Sequence, residues 1–132
     1  MNKRLQRSSK AVFNIGYHLV WCPKYRRRVL EGGIADRLVE IIKQVALDAE
    51  VEVAYLSVMS DHVHLFVRAN PVDSPHWLVK QFKGVSSRIL REEFPELKTR
   101  LPTLWTRAYF CESVGSISEE TVRKYIEGQK GK

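Results

Sequence analysis

The sequence predicts an α+β fold of the ferredoxin-like type, a β-α-β-β-α-β antiparallel sheet with an additional C-terminal helix. Strand-forming residues dominate four short segments, and apolar residues recur at helical spacing in longer ones. These segments follow one another in the order of the split βαβ motif. The length of 132 residues matches one compact domain, so we expect residues 1–132 to form a single domain.

Four predicted strands provide the sheet. Each is a short run of β-branched, aromatic and other apolar residues bounded by turn-forming residues. They cover residues 13–22, 51–58, 62–68 and 104–111. Pro23 ends the first strand, and the short Ser60-Asp61 turn between the second and third strands implies an antiparallel hairpin.

Helices are predicted where apolar residues recur three and four positions apart. The first follows the break at Gly32-Gly33 and ends near Ala49. A loop over residues 95–102 separates the second helix from the fourth strand, and the last helix covers about residues 117–130. The second helix is expected to bury one face, formed by Trp77, Leu78, Phe82, Val85 and Ile89.

The composition excludes several classes of protein. Hydrophobic residues make up 44% and charged residues 28%, which is ordinary for a soluble globular domain. The sequence has no apolar run of about 18 residues and no apolar signal core, so we expect a cytoplasmic protein that neither spans nor binds a membrane. Cys22 and Cys111 are far apart and form no CxxC motif, so both are expected to be half-buried thiols.

The net charge of +7 is concentrated in a basic N-terminal segment, residues 1–30. This segment holds eight of the 22 Lys and Arg residues and none of the 15 acidic residues, which leaves 14 basic and 15 acidic residues in the remainder. Such a distribution indicates a polyanionic partner, in the first place nucleic acid. A solvated arm that keeps the chain soluble is the alternative.

His62 and His64 alternate with Val63 in the third predicted strand. Residues i and i+2 of a strand point to the same side of the sheet, so both imidazoles emerge side by side while Val63 faces the core. Two imidazoles on one face can bind one divalent ion. The spacing is equally typical of two partly exposed strand histidines that bind no metal.

Tyr125 and Gln129 lie four residues apart in the last predicted helix, which places both on one helix face. A glutamine amide oxygen can serve as a third, hard ligand of a divalent ion. The phenol beside it can act as a nucleophile if its proton is removed, because a free tyrosine titrates only at about pH 10. A core tyrosine with a surface glutamine is the alternative that this spacing leaves open.

Three motifs lie in order along the chain: residues 18–28 (HLVWCPKYRRR), 61–65 (DHVHL) and 125–129 (YIEGQ). Together they resemble the transposases (TnpA type) of the smallest bacterial and archaeal insertion sequences, the single-tyrosine members of the HUH nuclease superfamily. The resemblance runs from the first strand to the last helix and covers nearly the whole chain.

The resemblance implies a site and a mechanism. His62 and His64 match the two HUH histidines, Gln129 the third metal ligand and Tyr125, on the C-terminal helix, the catalytic nucleophile. A divalent ion, Mg²⁺ or Mn²⁺, is then expected to polarise a phosphate of single-stranded DNA. Attack by Tyr125 gives a 5′-phosphotyrosine and a free 3′-OH, and a 3′-OH from another strand end reverses the step without a nucleotide cofactor.

The resemblance also implies a homodimer that recognises hairpins near the ends of the insertion sequence. The basic N-terminal segment suits phosphate contacts with such a hairpin, through Lys24, Arg26, Arg27 and Arg28. Tyr25 and Trp21 are candidates for stacking on bases, although its position in a strand favours core packing for Trp21.

Three other functions remain open. A domesticated relative would apply the same chemistry to chromosomal repeat hairpins. A non-catalytic nucleic-acid-binding domain can share the fold, but the third strand lacks the aromatic run typical of RNA-binding versions. A water-using metal hydrolase would need carboxylates near the histidines, and only Asp61 is adjacent; that carboxylate can orient a histidine, extend the metal shell or cap the turn.

Overall fold

The computed structural model describes residues 15–114 together with Lys124 and Glu127. The strands and α-helices of residues 15–114 follow the predicted β-α-β-β-α-β order, with one short helix added before the last strand. They are β1 (Ile15–Trp21), α1 (Gly32–Ala49), β2 (Glu52–Met59), β3 (His62–Ala69), α2 (Pro75–Glu93), α3 (Glu96–Arg100) and β4 (Phe110–Val114).

The four strands form one antiparallel sheet in the order β2-β3-β1-β4. β3 is inserted between β1 and β2, the two strands that α1 connects, which is the split βαβ arrangement. The prediction of an α+β, ferredoxin-like fold is therefore confirmed. This order also makes β1 and β3 direct neighbours, with His18 of β1 paired to Phe66 of β3.

The core lies between one face of the sheet and the two long helices. It takes alternate residues of β1 and β3 and one side of each helix, including Leu19, Val63, Leu65, Leu38, Ile42, Leu78 and Phe82, each fully buried. Burying one such side chain stabilises the fold by about 1.5–3 kcal/mol. This burial fixes which residues of each strand face the helices, and their neighbours therefore occupy the opposite face.

The ends of the long helices follow from local sequence. α2 begins at Pro75 because the hydroxyl of Ser74 accepts a hydrogen bond of 3.0 Å from the Trp77 N–H and proline suits the first helical position. α1 ends where Glu50 adopts a left-handed conformation with φ of 61°. Trp77 is 37% exposed, contrary to the predicted buried face, because it lines the groove between α1 and α2 rather than the core.

The segment after α2 differs from the prediction. Residues 104–111 were expected to form a strand, but most of them form a loop, and β4 lies further along the chain. Trp105 is buried because this loop folds over the core. The backbone of Trp105 forms an isolated β-bridge with Pro23, and its indole N–H donates a 3.0 Å hydrogen bond to the hydroxyl of Ser86. Buried apolar residues in a loop resemble a strand in composition. The expected loop over residues 95–102 contains α3.

Several predictions concern residues outside the described part of the chain. Within the predicted last helix, Lys124 and Glu127 are helical and exposed. Tyr125 and Gln129 lie outside the described residues, as does the part of the basic N-terminal segment before residue 15. Across the described residues, no helix combines the length and the apolar character needed to cross a membrane.

Candidate active site

β3 places two histidines side by side on the face of the sheet opposite the core. Val63 between them is fully buried, whereas His62 and His64 are partly exposed. Their ring centroids are 4.8 Å apart, and the ring planes are inclined by 78°. The two imidazoles therefore share one face, as the strand periodicity predicts.

The Asp61 carboxylate holds the ring of His62. One carboxylate oxygen is 2.7 Å from Nδ1 of His62, and the other accepts a 3.1 Å hydrogen bond from Arg26. The hydrogen bond from His62, together with the charges of Arg26 and Arg28, holds the pKa of Asp61 below its usual value. An ionised carboxylate can only accept, so Nδ1 of His62 carries a proton and Nε2 is the nitrogen that a cation would bind.

A third histidine, His18 of β1, holds the ring of His64. Its Nε2 is 3.1 Å from Nδ1 of His64, and its ring stacks on Phe66 with centroids 4.4 Å apart. His18 is 1% exposed. Burial, and to a smaller degree the neighbouring His64, lowers the pKa of His18 to about 4, so this ring is neutral at pH 7.

The tautomer of His18 sets the direction of the His18–His64 hydrogen bond, and a nearby carboxylate favours one tautomer. Oε1 of Glu112, 3.9 Å from Nδ1 of His18, lies beyond hydrogen-bond distance, but its negative charge favours a proton on that nitrogen. Nε2 of His18 then accepts from Nδ1 of His64. Burial and the charge of His62 lower the pKa of His64, which favours its neutral form. In both His62 and His64, Nδ1 is thus bonded to a neighbour, and Nε2 is the nitrogen suited to a cation.

The basic loop, defined as Lys24–Arg28, lies next to this histidine pair. Arg26 contacts Asp61, and Nη1 of Arg28 donates a 3.0 Å hydrogen bond to the hydroxyl of Ser60. Both contacts join the loop to the turn that precedes His62. The structure therefore brings two of the four predicted DNA-binding residues, Arg26 and Arg28, beside the predicted metal ligands.

The basic loop has an unusual backbone that displays an aromatic ring. Tyr25 and Arg26 adopt left-handed conformations with φ of 61° and 52°, which cost about 1–3 kcal/mol each for residues other than glycine. Tyr25 is 65% exposed, with the Lys24 ammonium 5.5 Å from its ring centroid. Trp21 is 1% exposed and packs in the core, so only Tyr25 of the two stacking candidates is at the surface.

The histidine pair fits a divalent ion that has at least one further ligand. Two imidazoles whose Nδ1 atoms are bonded to protein groups are typical of metal-binding histidines. Among the described residues, no group of three or more His, Cys, Asp or Glu side chains is placed to hold a metal. A third protein ligand of such an ion would therefore be of another residue type or lie outside the described residues, and the predicted ligand Gln129 meets both conditions.

Comparison with known proteins establishes the family. Residues 11–129 match the model of the family described as IS200-like transposases. The chain belongs to this family. The IS200-like transposase is 39% identical over 123 residues to the ISDra2 transposase TnpA of Deinococcus radiodurans, covering 92% of this chain and 88% of the relative. It is 29% identical over 119 residues to the transposase of insertion sequence element IS200 from Salmonella typhimurium, covering 89% and 78%.

Similarity to solved structures supports the assignment of the chain to this family. The crystal structure of a candidate transposase from Deinococcus radiodurans matches with a TM-score of 0.74 and 36% identity, covering 90% of this chain and 93% of that one. The structure of a REP-associated tyrosine transposase bound to a REP hairpin matches with a TM-score of 0.61, covering 87% and 64%. Its 14% identity makes it evidence for the fold alone. The resemblance inferred from the three motifs is confirmed.

Sequence reasoning about this IS200-like transposase gave no role to His18, although the first motif begins with it. A signal was present: the split βαβ order places β1 beside β3, and Leu19 in the core places His18 on the opposite face. The assignments of Tyr125 as nucleophile and Gln129 as ligand remain predictions, since both residues lie outside the described part of the chain.

Proposed function

We propose that this IS200-like transposase cleaves and rejoins single-stranded DNA at insertion-sequence ends through a 5′-phosphotyrosine intermediate. The observation that supports this most is the oriented pair of His62 and His64, each bonded through Nδ1 and placed beside the exposed basic loop. The family supplies the reaction class, because its curated relatives are transposases of insertion sequences.

His62, His64 and Gln129 are the residues that would hold a divalent ion, Mg²⁺ or Mn²⁺. When bound, such an ion polarises the scissile phosphate and offsets the negative charge that develops on its oxygens. Asp61 and His18 supply orientation, since they keep the Nδ1 proton of each histidine in a hydrogen bond. In each ring this leaves Nε2 as the nitrogen that faces a bound cation.

Tyr125 is the nucleophile in this proposal. Its phenol oxygen attacks phosphorus in line and loses its proton to water. The bond between phosphorus and the 3′ oxygen breaks, and that oxygen takes up a proton to become a free 3′-OH. The 3′-OH of another strand end then attacks the phosphotyrosine, displaces the phenol and restores a phosphodiester. One bond is exchanged for a similar one, so no nucleotide cofactor is required.

The basic loop is the part of the proposed site that would contact DNA. Its exposed arginines can bind backbone phosphates, and the Tyr25 ring offers a surface on which an unpaired base can stack. Stacking needs an unpaired base, which agrees with a single-stranded substrate. Hairpin recognition by a homodimer belongs to the same proposal, and the solved protein of the same fold that binds a REP hairpin motivates it.

The test is a search for the covalent intermediate. Labelled single-stranded DNA carrying the end hairpin of the insertion sequence is incubated with the protein and Mg²⁺ or Mn²⁺, denatured, and examined for a protein–DNA adduct that peptide mass maps to Tyr125. Tyr125→Phe should abolish cleavage and adduct while hairpin binding stays nearly unchanged. Tyr55→Phe is the matched control, because Tyr55 lies on the same face of the sheet as His62 and His64. Its ring centroid is 6.2 Å from that of Phe66.

The other possible outcomes would each change a stated part of the proposal. Cleavage without an adduct would indicate a nuclease that uses water as the nucleophile. Hairpin binding with neither cleavage nor adduct, across several metals, would indicate a non-catalytic hairpin-binding protein. An adduct at another tyrosine would keep the reaction class and remove Tyr125 from its role.

A further inference from the structure

Phe110, the first residue of β4, displays its ring on the same face of the sheet as the histidine pair. Val20 of β1 is paired with His64 of β3 on one side and with Phe110 on the other, so the three residues form one row across the sheet. Directly paired residues of neighbouring strands point to the same face. Neighbouring strands lie about 4.8 Å apart, which places Phe110 about 10 Å from His64 along this row.

The ring of Phe110 is exposed, whereas the neighbouring rings on this face are covered. Phe110 is 50% exposed. Tyr55 and Phe66, the other tyrosine and phenylalanine that the described strands place on this face, are half-buried and buried. The Phe110 ring lies edge-on to the ring of His18, with centroids 5.6 Å apart and planes inclined by 67°. This contact orients the Phe110 ring, and its exposed surface can accept a flat ligand.

The charges around Phe110 determine how a DNA strand can lie across this face. The basic loop contacts the turn before His62, at the end of the sheet where Phe110 also lies, and its arginines attract backbone phosphates. Glu112 lies two residues further along β4 on the same face, and its exposed carboxylate repels phosphates. A strand bound at the histidine pair therefore keeps its phosphates towards the basic loop and extends its bases towards β4.

We propose that Phe110 stacks on the unpaired base of the nucleotide whose 3′ oxygen leaves when the DNA is cleaved. The inference rests on the proposed function, in which the histidine pair marks the position of the scissile phosphate. The sugar and base of one nucleotide can bridge the gap from that phosphate to the Phe110 ring.

The strand that carries this nucleotide has the greater need of a stacking contact. After cleavage one strand is bonded to Tyr125, whereas the strand that ends in the free 3′-OH is held only by non-covalent contacts. Stacking of its last base on Phe110 keeps the 3′-OH near the phosphotyrosine for the rejoining step. Every base has an aromatic face, so this contact orients the nucleotide and selects its sequence only weakly.

The test combines variants of the full-length protein with altered DNA. Phe110→Leu keeps an apolar side chain and removes the aromatic face, whereas Phe110→Trp retains such a face. Val72→Ala is the control, because it removes an exposed apolar side chain that follows β3 at the end of the strand remote from His62. Single-turnover cleavage and the rejoining of a labelled 3′-OH strand are measured on end-hairpin DNA. This DNA is intact, lacks the base on the 3′-OH side of the cleaved bond, or lacks the base on the 5′-phosphate side.

On intact DNA, Phe110→Leu should slow cleavage and rejoining by about tenfold, the order of effect expected for one base–aromatic stack. Phe110→Trp and Val72→Ala should react at nearly the wild-type rate. On DNA without the base on the 3′-OH side, Phe110→Leu and the wild type should be equally slow, because the ring and the base contribute only together. Removal of the base on the 5′-phosphate side should leave the tenfold difference between the two proteins in place.

Three results would overturn the proposal. The first is an unchanged rate of Phe110→Leu on intact DNA. The second is a difference between Phe110→Leu and the wild type that persists without the base on the 3′-OH side, since the ring would then act on something else. The third is an equal loss of rate in Phe110→Leu and Val72→Ala, which would indicate a general effect of removing apolar surface.

Photocrosslinking separates failure of this inference from failure of the proposed function. It needs no variant of Phe110, so it decides the question even if Phe110→Leu does not fold. 5-Iodouracil at the nucleotide on the 3′-OH side should give a cross-link to the wild-type protein that peptide mass maps to Phe110. An adduct at Tyr125 with cross-links that map elsewhere would reject the role of Phe110 alone. Absence of the adduct at Tyr125 would reject the proposed function, and with it the assignment of this base to Phe110.

Discussion

His62 and His64 lie two residues apart on β3, but neighbours of opposite chemistry hold their rings. His62 is hydrogen-bonded to the ionised carboxylate of Asp61, and this carboxylate also accepts a hydrogen bond from Arg26 at the surface. His64 is bonded to His18, which is buried and neutral at pH 7. One ring is therefore held by charged groups near solvent, and the other by an uncharged group within the protein.

This difference shows that orientation and charge can be supplied separately at one site. A carboxylate bonded to Nδ1 increases the electron density of the imidazole and favours a cation at Nε2. A neutral histidine hydrogen-bonded to Nδ1 fixes the ring and adds no charge, so the negative charge beside the histidine pair stays low. We infer that the two ligands respond differently to the loss of their neighbours, although both rings point to one face.

Removal of either ring should have the largest effect, because under the proposed function each would supply one ligand of the ion and no described residue could replace it. His62→Ala and His64→Ala should each abolish metal-dependent cleavage and measurable Mn²⁺ binding in calorimetric titrations of the protein without DNA. Ser57→Ala, directly across from His64 on β2, is the control and should bind Mn²⁺ normally. Undiminished Mn²⁺ binding by either histidine variant, or full cleavage in EDTA, would show that the pair holds no metal.

Loss of the charged neighbour should have the next largest effect. Asp61→Asn keeps the size of the side chain but loses the charge that favours a cation at Nε2 of His62, so Mn²⁺ affinity should fall by about 10–100-fold. Nitrogen NMR of His62 should also show the proton divided between Nδ1 and Nε2. Asp48→Asn, which removes an exposed carboxylate of α1, is the control. If Asp61→Asn behaves like Asp48→Asn, the carboxylate serves only the turn.

Much of the fold could be predicted because burial decides it. The alternation of β3 and the helical spacing of α1 depend on which residues leave water, and that pattern is present in the sequence. The predicted position of the last strand was wrong for the same reason. Trp105 is buried because its loop crosses the core, and not because it belongs to a strand. The period of apolar residues does not distinguish these two routes to burial.

The site was less predictable than the fold, because most of its contacts join distant parts of the chain. The shared face of His62 and His64 follows from one strand, so it could be read from five residues. The contact of Arg26 with Asp61 depends on the path of the basic loop, in which Tyr25 and Arg26 adopt the left-handed conformation. Neither residue is a glycine, so the sequence does not indicate this conformation. The position of His18 beside His64 could have been predicted from two observations together. The strand order places β1 next to β3, and the alternation of β1 places His18 on the face opposite Leu19.

Loss of the neutral neighbour should have the smallest effect on the metal and a distinct effect on stability. His18→Phe retains a ring that can stack on Phe66 and removes the nitrogen that accepts from His64, so Mn²⁺ affinity should fall by no more than about tenfold. Stability should change its dependence on pH, because the pKa of His18 is lowered from 6.5 to about 4 by folding.

The sign of that dependence follows from proton binding. Between pH 6.5 and pH 4 the unfolded chain binds more protons at His18 than the folded chain, so the stability present above pH 6.5 is lost as the pH falls. Urea unfolding in EDTA should show that the wild type loses about 2 kcal/mol more than His18→Phe between pH 7 and pH 5. Other titrating groups are common to both proteins and largely cancel in this difference. Equal losses would mean that folding leaves the pKa of His18 unchanged, so that His18 is protonated at pH 5 in the folded protein and can no longer accept the hydrogen bond from His64 at that pH.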